Sequence, residues 1–378
     1  MGTSGSITVK TRLAASGTST APAQVTSAVS GKDLGRFRRA LLSWYDRHRR
    51  DLPWRKTREP YRIWLSEIML QQTRVNAVLE HYRIFLERFP NVEALAATSE
   101  DAVLAAWSGL GYYRRARMLH QCAKELVRKH GGRFPQSAGA LLALPGIGRY
   151  TSAAIASIAF AEPVAVVDGN VERVLQRLIR TKMTGVNLTT LRTWQHAQVL
   201  LANSRPGDFN QAMMELGATV CLPREPRCPV CPVRKWCVTE RSSEDANSTI
   251  TMERRASSPP RTSTLGKGRQ VKREIWCVLS QRDGHIRLLQ RTKKASLMPG
   301  MWELPQSCVP PRPLSTSAHW RTFRHSITIT DYTVHVLRNM SVTDTPPAAK
   351  GKWIAMDRIP QIPITGLTRK ILKAGGII

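Results

Sequence analysis

The chain has 378 residues, of which 57 are Lys or Arg and 27 are Asp or Glu, so its formal net charge is +30 at pH 7. Hydrophobic residues make up 42%, which is enough to bury a sizeable core and excludes a wholly disordered chain. The length predicts two or three domains. The charge favours a polyanion as the partner, with nucleic acid ahead of an anionic membrane.

The positive charge is spread along the chain. Residues 1–240 hold 34 basic and 18 acidic side chains, and residues 241–378 hold 23 and 9. We therefore expect both parts of the chain to face the same polyanion. Because no run of about 18 apolar residues is present, neither a membrane-spanning helix nor a membrane partner is expected.

Residues 1–30 are rich in Ser, Thr, Ala and Gly. They are predicted to be a disordered N-terminal extension, in preference to a weak organelle transit peptide. In residues 31–240 the apolar positions recur at helical spacing, as at Phe37, Leu41, Trp44 and Tyr45. This pattern predicts a mostly α-helical domain.

An acidic residue interrupts one apolar helix of this domain. Glu67 lies within residues 64–73, which are largely apolar. Burial disfavours the charged form of a carboxyl group, so its pKa should be raised and a proton should remain available near neutrality. The alternative is that Glu67 lies on a solvated flank of the helix.

Residues 137–160 predict a helix-hairpin-helix. A short helix is followed by a turn that contains Gly146 and Gly148, and an apolar helix begins directly after it. Such a turn directs backbone N–H groups from the positive end of a helix dipole towards a phosphate, without reading a base.

A second acidic residue, Asp168, follows an apolar run at residues 164–167. Pairs of acids with one protonated and one ionised member cleave glycosidic bonds through oxocarbenium-like states. Asp168 is therefore a candidate partner of Glu67. Its alternative role is that of a helix N-cap.

Four cysteines lie close together with the spacing Cys-x6-Cys-x2-Cys-x5-Cys: Cys221, Cys228, Cys231 and Cys237. Four thiolates in one loop suit tetrahedral zinc or a [4Fe-4S] cluster. A structural zinc site usually has two close cysteine pairs, and only one is present here. The spacing favours the cluster and leaves zinc open.

Residues 241–270 are rich in Ser, Thr, Pro, Arg and Gly and are predicted to be a linker. In residues 271–378 the pattern changes to β-branched or alternating runs at residues 275–279, 286–289 and 327–330, with a turn at Asp283 and Gly284. These runs predict a smaller α+β domain.

Taken together, the chain resembles the endonuclease III superfamily of helix-hairpin-helix DNA glycosylases and, more narrowly, the MutY family of adenine DNA glycosylases. The blocks that carry the resemblance are Leu52-Pro53-Trp54-Arg55, residues 64–73, 107–113, the hairpin, residues 167–171 and the cysteine loop. The resemblance implies a monomer with a [4Fe-4S] cluster. It also implies that the enzyme removes adenine mispaired with 8-oxoguanine or guanine in duplex DNA after flipping the adenine out of the stack.

The resemblance also assigns roles to residues. The implied catalytic group is Glu67 as the acid, Asp168 as the carboxylate that stabilises the sugar cation, and Tyr150 and Asn170 as their supports. The implied adenine pocket is Arg50, Trp54, Arg55 and Gln211. The implied contacts to DNA and 8-oxoguanine are Gln72, Tyr112, Gly146, Gly148, Phe323, Arg324, His325 and Ser326. The implied cluster ligands are Cys221, Cys228, Cys231 and Cys237.

Three departures from related patterns refine this interpretation. Endonuclease III-type enzymes carry a catalytic lysine where this chain has Tyr150, so a monofunctional hydrolase without strong lyase activity is expected. The C-terminal domain resembles a Nudix-like recognition domain but lacks the acid-rich magnesium-binding helix, so no pyrophosphatase activity is expected. Arg324 stands where the family's Phe-Ser-His loop has serine.

The sequence leaves two alternative functions open. One is an endonuclease III-type glycosylase and lyase for oxidised pyrimidines, against which Tyr150 and the C-terminal domain argue. The other is a non-catalytic iron–sulfur DNA-binding protein, against which the two acids argue. The expected location is the cytoplasm, near the nucleoid, in a bacterium, or the nucleus or mitochondrion in a eukaryote.

Overall fold

The computed structural model describes residues 29, 31–179, 186–240, 271–308, 319–327, 329–338 and 351–378, with the backbone alone for residues 186–190. The predicted linker at residues 241–270 and nearly all of the predicted N-terminal extension lie outside the described residues. No described helix has both the length and the apolar character needed to cross a membrane.

Residues 31–179 and 186–219 form helices joined by short loops, which confirms the predicted α-helical character of this part. The helices are α1 (Gly31–His48), α2 (Pro60–Leu70), α3 (Val75–Arg88), α4 (Val92–Ala97), α5 (Glu100–Ala106), α6 (Arg114–His130), α7 (Ala138–Leu142), α8 (Arg149–Ala159), α9 (Gly169–Ile179), α10 (Val186–Leu200) and α11 (Pro206–Thr219). Their starts follow local sequence signals. Asn91, Ser99 and Ser137 each accept a hydrogen bond from a backbone N–H in the first turn of the helix that follows.

The helices pack around two apolar cores. The first core surrounds α2 and contains Trp64 and Trp107, both fully buried. The second lies between α1 and α11 and contains Phe37 and Phe209, whose ring centroids are 6.4 Å apart. Each core is formed from the apolar stripes of amphipathic helices. The cleft described below lies where residues of both cores meet.

The C-terminal part is an α+β domain, as predicted. Its strands are β1 (Val271–Leu279), β2 (Gln281–Arg282), β3 (His285–Gln290), β4 (Trp302–Glu303), β5 (Gln306–Ser307), β6 (His319–Ile327), β7 (Thr330–Arg338) and β8 (Lys352–Ala355), and α12 (Gly366–Ala374) follows them. One sheet has the order β5-β1-β7-β6, with β1 and β7 parallel. The other has the order β2-β3-β4, with β8 also paired to β3.

Two hairpins of this domain can be compared with the sequence predictions. Asp283 and Gly284 have φ values of +47° and +71° and form the predicted turn between β2 and β3. The strand predicted at residues 327–330 is wrong, because Ile327 ends β6 and Thr330 begins β7. Ile329 is exposed and lies in the connection between them.

The C-terminal domain is docked on the helical domain. Met301 is fully buried in the first helical core. Arg117 on α6 donates a 2.6 Å hydrogen bond to the carbonyl oxygen of Pro299. Ser108 donates to the carbonyl oxygen of Ile364 at 3.2 Å. These contacts join the C-terminal domain to the loop between α5 and α6.

Candidate active site

A cleft of about 1940 Å³ is lined by both domains. Most residues that the sequence singled out line it, although they are widely separated along the chain. These are Arg50, Trp54, Arg55, Glu67, Gln72, Tyr112, Gly146, Gly148, Tyr150, Asp168, Asn170, Gln211, His325 and Ser326. Phe323, Arg324 and the four clustered cysteines are not among the residues that line it.

Glu67 projects from the last two turns of α2 and is only 6% exposed. The solvated flank considered for it is therefore wrong. Burial raises the pKa of its carboxyl group to about 7, and the charge of Asp168 adds to the increase. The hydrogen bond from Tyr150 opposes the increase. A carboxyl group with this pKa holds a proton for part of the time at neutral pH.

Tyr150 lies in the first turn of α8, directly after the hairpin. Its hydroxyl donates a 2.7 Å hydrogen bond to Oε2 of Glu67 and approaches Sδ of Met214 at 3.4 Å. Burial and the two nearby carboxyl groups raise its own pKa well above the usual value. The phenol therefore stays protonated and acts as a hydrogen-bond donor.

Asp168 ends the segment between α8 and α9, which is neither helix nor strand. Its Oδ1 accepts hydrogen bonds from the backbone N–H groups of Asn170 and Val171 at 2.9 and 2.7 Å. The side-chain amide of Asn170 donates to Oδ2 at 3.0 Å. Asp168 is thus a helix N-cap and a cleft residue at once. Burial raises its pKa, and these three donors oppose that increase by favouring the carboxylate.

The segment before Asp168 is held in place by a buried amide. Asn210 on α11 accepts a hydrogen bond from the N–H of Val166 at 3.0 Å and donates to the carbonyl oxygen of Val164 at 2.9 Å. Buried backbone outside helices and strands needs such partners, because its polar groups are otherwise left unpaired.

Arg50 and Arg55 converge on one carboxylate. Arg50 donates from Nε and Nη2 to both oxygens of Glu215, at 2.8 and 2.6 Å, and Arg55 donates to Oε2 at 2.7 Å. The side chain of Glu215 is completely buried. The two guanidinium groups overcome the effect of burial and lower the pKa of Glu215 to about 2. The three side chains form a fixed polar wall of the cleft.

Trp54 and Gln211 complete this side of the cleft. Trp54 is buried in the first core, where its ring packs edge-on against Tyr82 with centroids 5.3 Å apart. Gln211 is partly buried on α11, one turn before Glu215. Both residues line the cleft as well.

The hairpin provides a turn that only glycine accommodates easily. Gly146 has a φ of +74°, and a Cβ there would lie 2.7 Å from Cβ of Met118. Gly148 is the N-cap of α8 and leaves the N-terminus of that helix at the cleft. The positive end of the helix dipole is thereby directed towards an approaching anion.

Gln72 and Tyr112 lie at two exposed turns on the cleft. Both have positive φ, +56° and +49°, although neither is glycine. Tyr112 is 60% exposed, and its ring is therefore free to contact another molecule.

The C-terminal residues expected at the lesion separate into two pairs. His325 and Ser326, at the end of β6, line the cleft. Phe323 and Arg324 are not among the residues that line it, and their contact to the lesion stays a prediction. Phe323 is buried in the core of the C-terminal domain, and Arg324, the next residue along the strand, is exposed. The segment is part of a strand rather than a loop.

The four cysteines follow α11 in a compact loop. All four are partly buried and free of disulfides. Arg177 on α9 donates to Sγ of Cys221 at 3.2 Å and to the carbonyl oxygens of Leu222 and Pro223 at 2.7 and 2.8 Å. Among the described residues, no three His, Cys, Asp or Glu are arranged to hold a single metal ion. Four soft sulfur donors beside a guanidinium group nevertheless fit the chemistry of an anionic iron–sulfur cluster.

Two residues of the site were missed by the sequence reasoning. Glu215 lies within the apolar run of α11, so the signal that identified Glu67, an acid among apolar neighbours, also marks it. Arg115, near the start of α6, lies beside Gln72 and Tyr112 and also lines the cleft. Its sequence context, a run of basic residues, gives no such signal.

Comparison with known proteins agrees with this fold and site. The family model described as "HhH-GPD superfamily base excision DNA repair protein" matches residues 65–195. A solved structure of a thermostable thymine-DNA glycosylase has a TM-score of 0.52 and 32% identity, covering 56% of this chain and 98% of that chain. The fold and the cleft are therefore those of the helix-hairpin-helix class of base excision DNA repair proteins.

Two curated relatives narrow the class. Adenine DNA glycosylase of Rattus norvegicus is 39% identical over 321 residues, which cover 74% of this chain and 62% of the rat protein. Adenine DNA glycosylase of Homo sapiens is 34% identical over 406 residues, which cover 89% and 73%. The chain belongs to the adenine DNA glycosylase family. It spans less than two thirds of the rat protein.

Proposed function

We propose that this chain is a monofunctional glycosylase that acts as a monomer and removes adenine mispaired with 8-oxoguanine or guanine in duplex DNA. The observation that carries the proposal is the buried pair of Glu67 and Tyr150 in a cleft that also receives Asp168. One carboxyl group with a pKa of about 7 and a second stabilised by three donors provide an acid and an anion in one site.

The chemistry that follows is a hydrolysis in two steps. Glu67 gives its proton to a nitrogen on the five-membered ring of adenine, and the electrons of the glycosidic bond move to the base, which leaves as neutral adenine. The Asp168 carboxylate stabilises the cationic sugar that remains. Water then adds to the sugar carbon, and its proton returns to the Glu67 carboxylate. The adenine must be extruded from the duplex for Glu67 to reach it.

The surrounding residues have complementary roles. Arg50, Arg55, Trp54 and Gln211 hold the extruded adenine, with Glu215 fixing the two arginines. Gln72 and Tyr112 enter the duplex at the position that adenine leaves. His325 and Ser326 face the opposite strand and contact 8-oxoguanine. Backbone N–H groups at Gly146 and Gly148 bind a phosphate without reading sequence.

The absence of a suitable amine supports hydrolysis without lyase chemistry. Tyr150 occupies the position of the lysine that forms a Schiff base in endonuclease III-type enzymes, and no lysine is among the described residues that line the cleft. Incubation with abasic duplex and borohydride should therefore give no efficient covalent trapping. Efficient trapping would show that the enzyme is a lyase.

The four cysteines are proposed to hold a [4Fe-4S] cluster. Bound there, the cluster would supply a rigid cross-link to the loop, which packs on the second core through Val233 and Trp236. Arg177 would neutralise part of its negative charge through the contact to Cys221. Iron and sulfide analysis of anaerobically purified protein should give four of each per chain. Zinc in their place would contradict the proposal.

The central experiment compares three duplexes. Single-turnover excision is measured on 8-oxoguanine·A, G·A and thymine glycol·A with wild type and Glu67→Gln. We expect excision of adenine from the first two duplexes, a loss of at least about 1000-fold in the variant, and no action on thymine glycol. Undiminished excision by Glu67→Gln would overturn the catalytic assignment. Excision of thymine glycol would favour an enzyme for oxidised pyrimidines.

A further inference from the structure

Arg115, the second residue of α6, binds the C-terminal end of the helix that carries Glu67. Its Nη1 donates to the carbonyl oxygens of Ile68 and Met69 at 2.8 and 2.9 Å, and also to that of Gln71. Its Nη2 donates to Oγ1 of Thr73 at 3.1 Å. Carbonyl groups at the end of a helix have no partner within the helix, so this guanidinium satisfies and fixes them.

The same guanidinium binds the second turn on the cleft. Nη2 also reaches the carbonyl oxygens of Leu110 and Gly111, at 3.4 and 3.3 Å. Its carbon lies 5.4 Å from the ring centroid of Trp107 and 5.5 Å from that of Tyr112. One side chain therefore contacts the backbone before Gln72, the hydroxyl of Thr73 after it, and the backbone that immediately precedes Tyr112.

These two turns need such support. Gln72 and Tyr112 adopt left-handed backbone conformations, in which the Cβ of a non-glycine residue crowds the following carbonyl group. Residues of this kind relax to ordinary conformations unless their surroundings hold them. Among the described residues, the acceptors that Arg115 contacts are uncharged carbonyl and hydroxyl oxygens. The guanidinium group of Arg115 therefore holds the backbone of the two turns in place.

We propose that Arg115 is a positioning residue that joins the two turns into one rigid unit, so that Gln72 and Tyr112 enter the duplex together. The inference rests on the proposed function, because it presumes that these two side chains act on DNA. This positioning role requires an arginine side chain. The two Nη groups of the planar guanidinium lie apart and together contact both turns, whereas a lysine ammonium offers three donors at a single point.

The experiment compares Arg115→Lys and Arg115→Gln with Arg128→Gln, a control on the exposed face of the same helix whose arginine pairs with Glu125. Base flipping is followed by the fluorescence of 2-aminopurine next to the target adenine, and single-turnover excision is measured in parallel. Both Arg115 variants should flip adenine at least about tenfold more slowly, and the control should match wild type. The pH midpoint of excision should stay unchanged, since Glu67 itself is untouched.

A double-mutant comparison separates positioning from general stability. Arg115→Lys is combined with Gln72→Ala and Tyr112→Ala, and all variants are compared at a temperature where circular dichroism shows full folding. If Arg115 acts through the two side chains, the lysine variant causes no further slowing in that background. The same tenfold slowing in both backgrounds would overturn the inference. A wild-type rate for Gln72→Ala with Tyr112→Ala would instead overturn the role proposed for those two residues.

Discussion

The hydroxyl of Tyr150 donates a 2.7 Å hydrogen bond to Oε2 of Glu67, across 83 positions of sequence. The bond links the first turn of the helix after the hairpin to the helix that carries the acid. It favours the ionised form of Glu67, whereas burial favours the protonated form, and burial has the larger effect. The balance keeps the pKa of Glu67 at about 7 rather than higher.

The first prediction concerns the pH dependence of excision. Because Glu67 acts as an acid, the rate should fall as pH rises above about 7, approaching tenfold per pH unit. Tyr150→Phe removes the bond that lowers the pKa of Glu67, so the midpoint should move to higher pH. Single-turnover rates on 8-oxoguanine·A between pH 5.5 and 9 provide the measurement, at roughly half-unit intervals. A midpoint that Tyr150→Phe leaves in place would contradict it.

The second prediction concerns stability. The pKa of Glu67 is about 7 in the folded state against an ordinary value of 4.5, so the folded state binds the proton more tightly. The stabilising effect of that proton is present below pH 4.5 and is lost as pH rises through 7. The loss amounts to about 3 kcal/mol. Glu67→Gln should therefore be more stable than wild type at pH 8, with a smaller difference at pH 5, in urea unfolding. Equal pH profiles for the two proteins would refute this.

A third prediction separates the two roles of Asp168. Asn is as good an N-cap as Asp, so Asp168→Asn should keep α9 capped and change the melting temperature little. It removes the negative charge that stabilises the sugar cation, and excision should fall by at least about 100-fold. Calorimetry and single-turnover kinetics on the same preparation test both halves. A variant that loses rate only in proportion to its unfolding would assign Asp168 to structure alone.

The fourth prediction concerns the buried Glu215. Glu215→Gln leaves the guanidinium groups of Arg50 and Arg55 without their counter-charge, which should cost about 3–5 kcal/mol of unfolding free energy at pH 7. The pKa of Glu215 is lowered to about 2, so its contribution is present above pH 4.5 and is lost as pH falls towards 2. Chemical unfolding measures both effects.

The control for this prediction is Glu80→Gln, which removes one carboxylate of an exposed ion pair with Arg83. Such pairs contribute little, so the unfolding free energy should not change measurably. If the Glu80 and Glu215 variants were equally stable, the buried cluster would have no special role.

The fifth prediction tests the docking of the C-terminal domain. Arg369 donates to the carbonyl oxygen of Ser108 at 2.9 Å, and Tyr113 donates to that of Ile364 at 3.4 Å. Both bonds hold the loop that carries Tyr112. Arg369→Ala should reduce the preference for 8-oxoguanine·A over G·A several-fold and leave the pH midpoint of excision unchanged. An unaltered preference in a competition assay would show that this contact is dispensable.

Much of the molecule could be predicted because its signals are local. Helical spacing of apolar residues, the glycines of the hairpin and the clustered cysteines each lie within a short stretch of sequence. The error at residues 327–330 is also local, since a β-branched pattern is shared by a strand and by a hairpin connection. A strand start or end depends on which partner strand is available, and sequence spacing does not contain that information.

The chemical groups of the site can be read from local stretches of sequence: two carboxyl groups in apolar surroundings, a tyrosine in place of lysine, and four thiols in one loop. How these groups act together depends on the fold. In the fold, the hydroxyl of Tyr150 contacts Glu67, and Arg50 and Arg55 contact Glu215 across 165 and 160 positions of sequence. The side chain of Phe323 packs into the core of the C-terminal domain. Burial and long-range contacts set a pKa, and both arise from packing between helices that are distant in the chain.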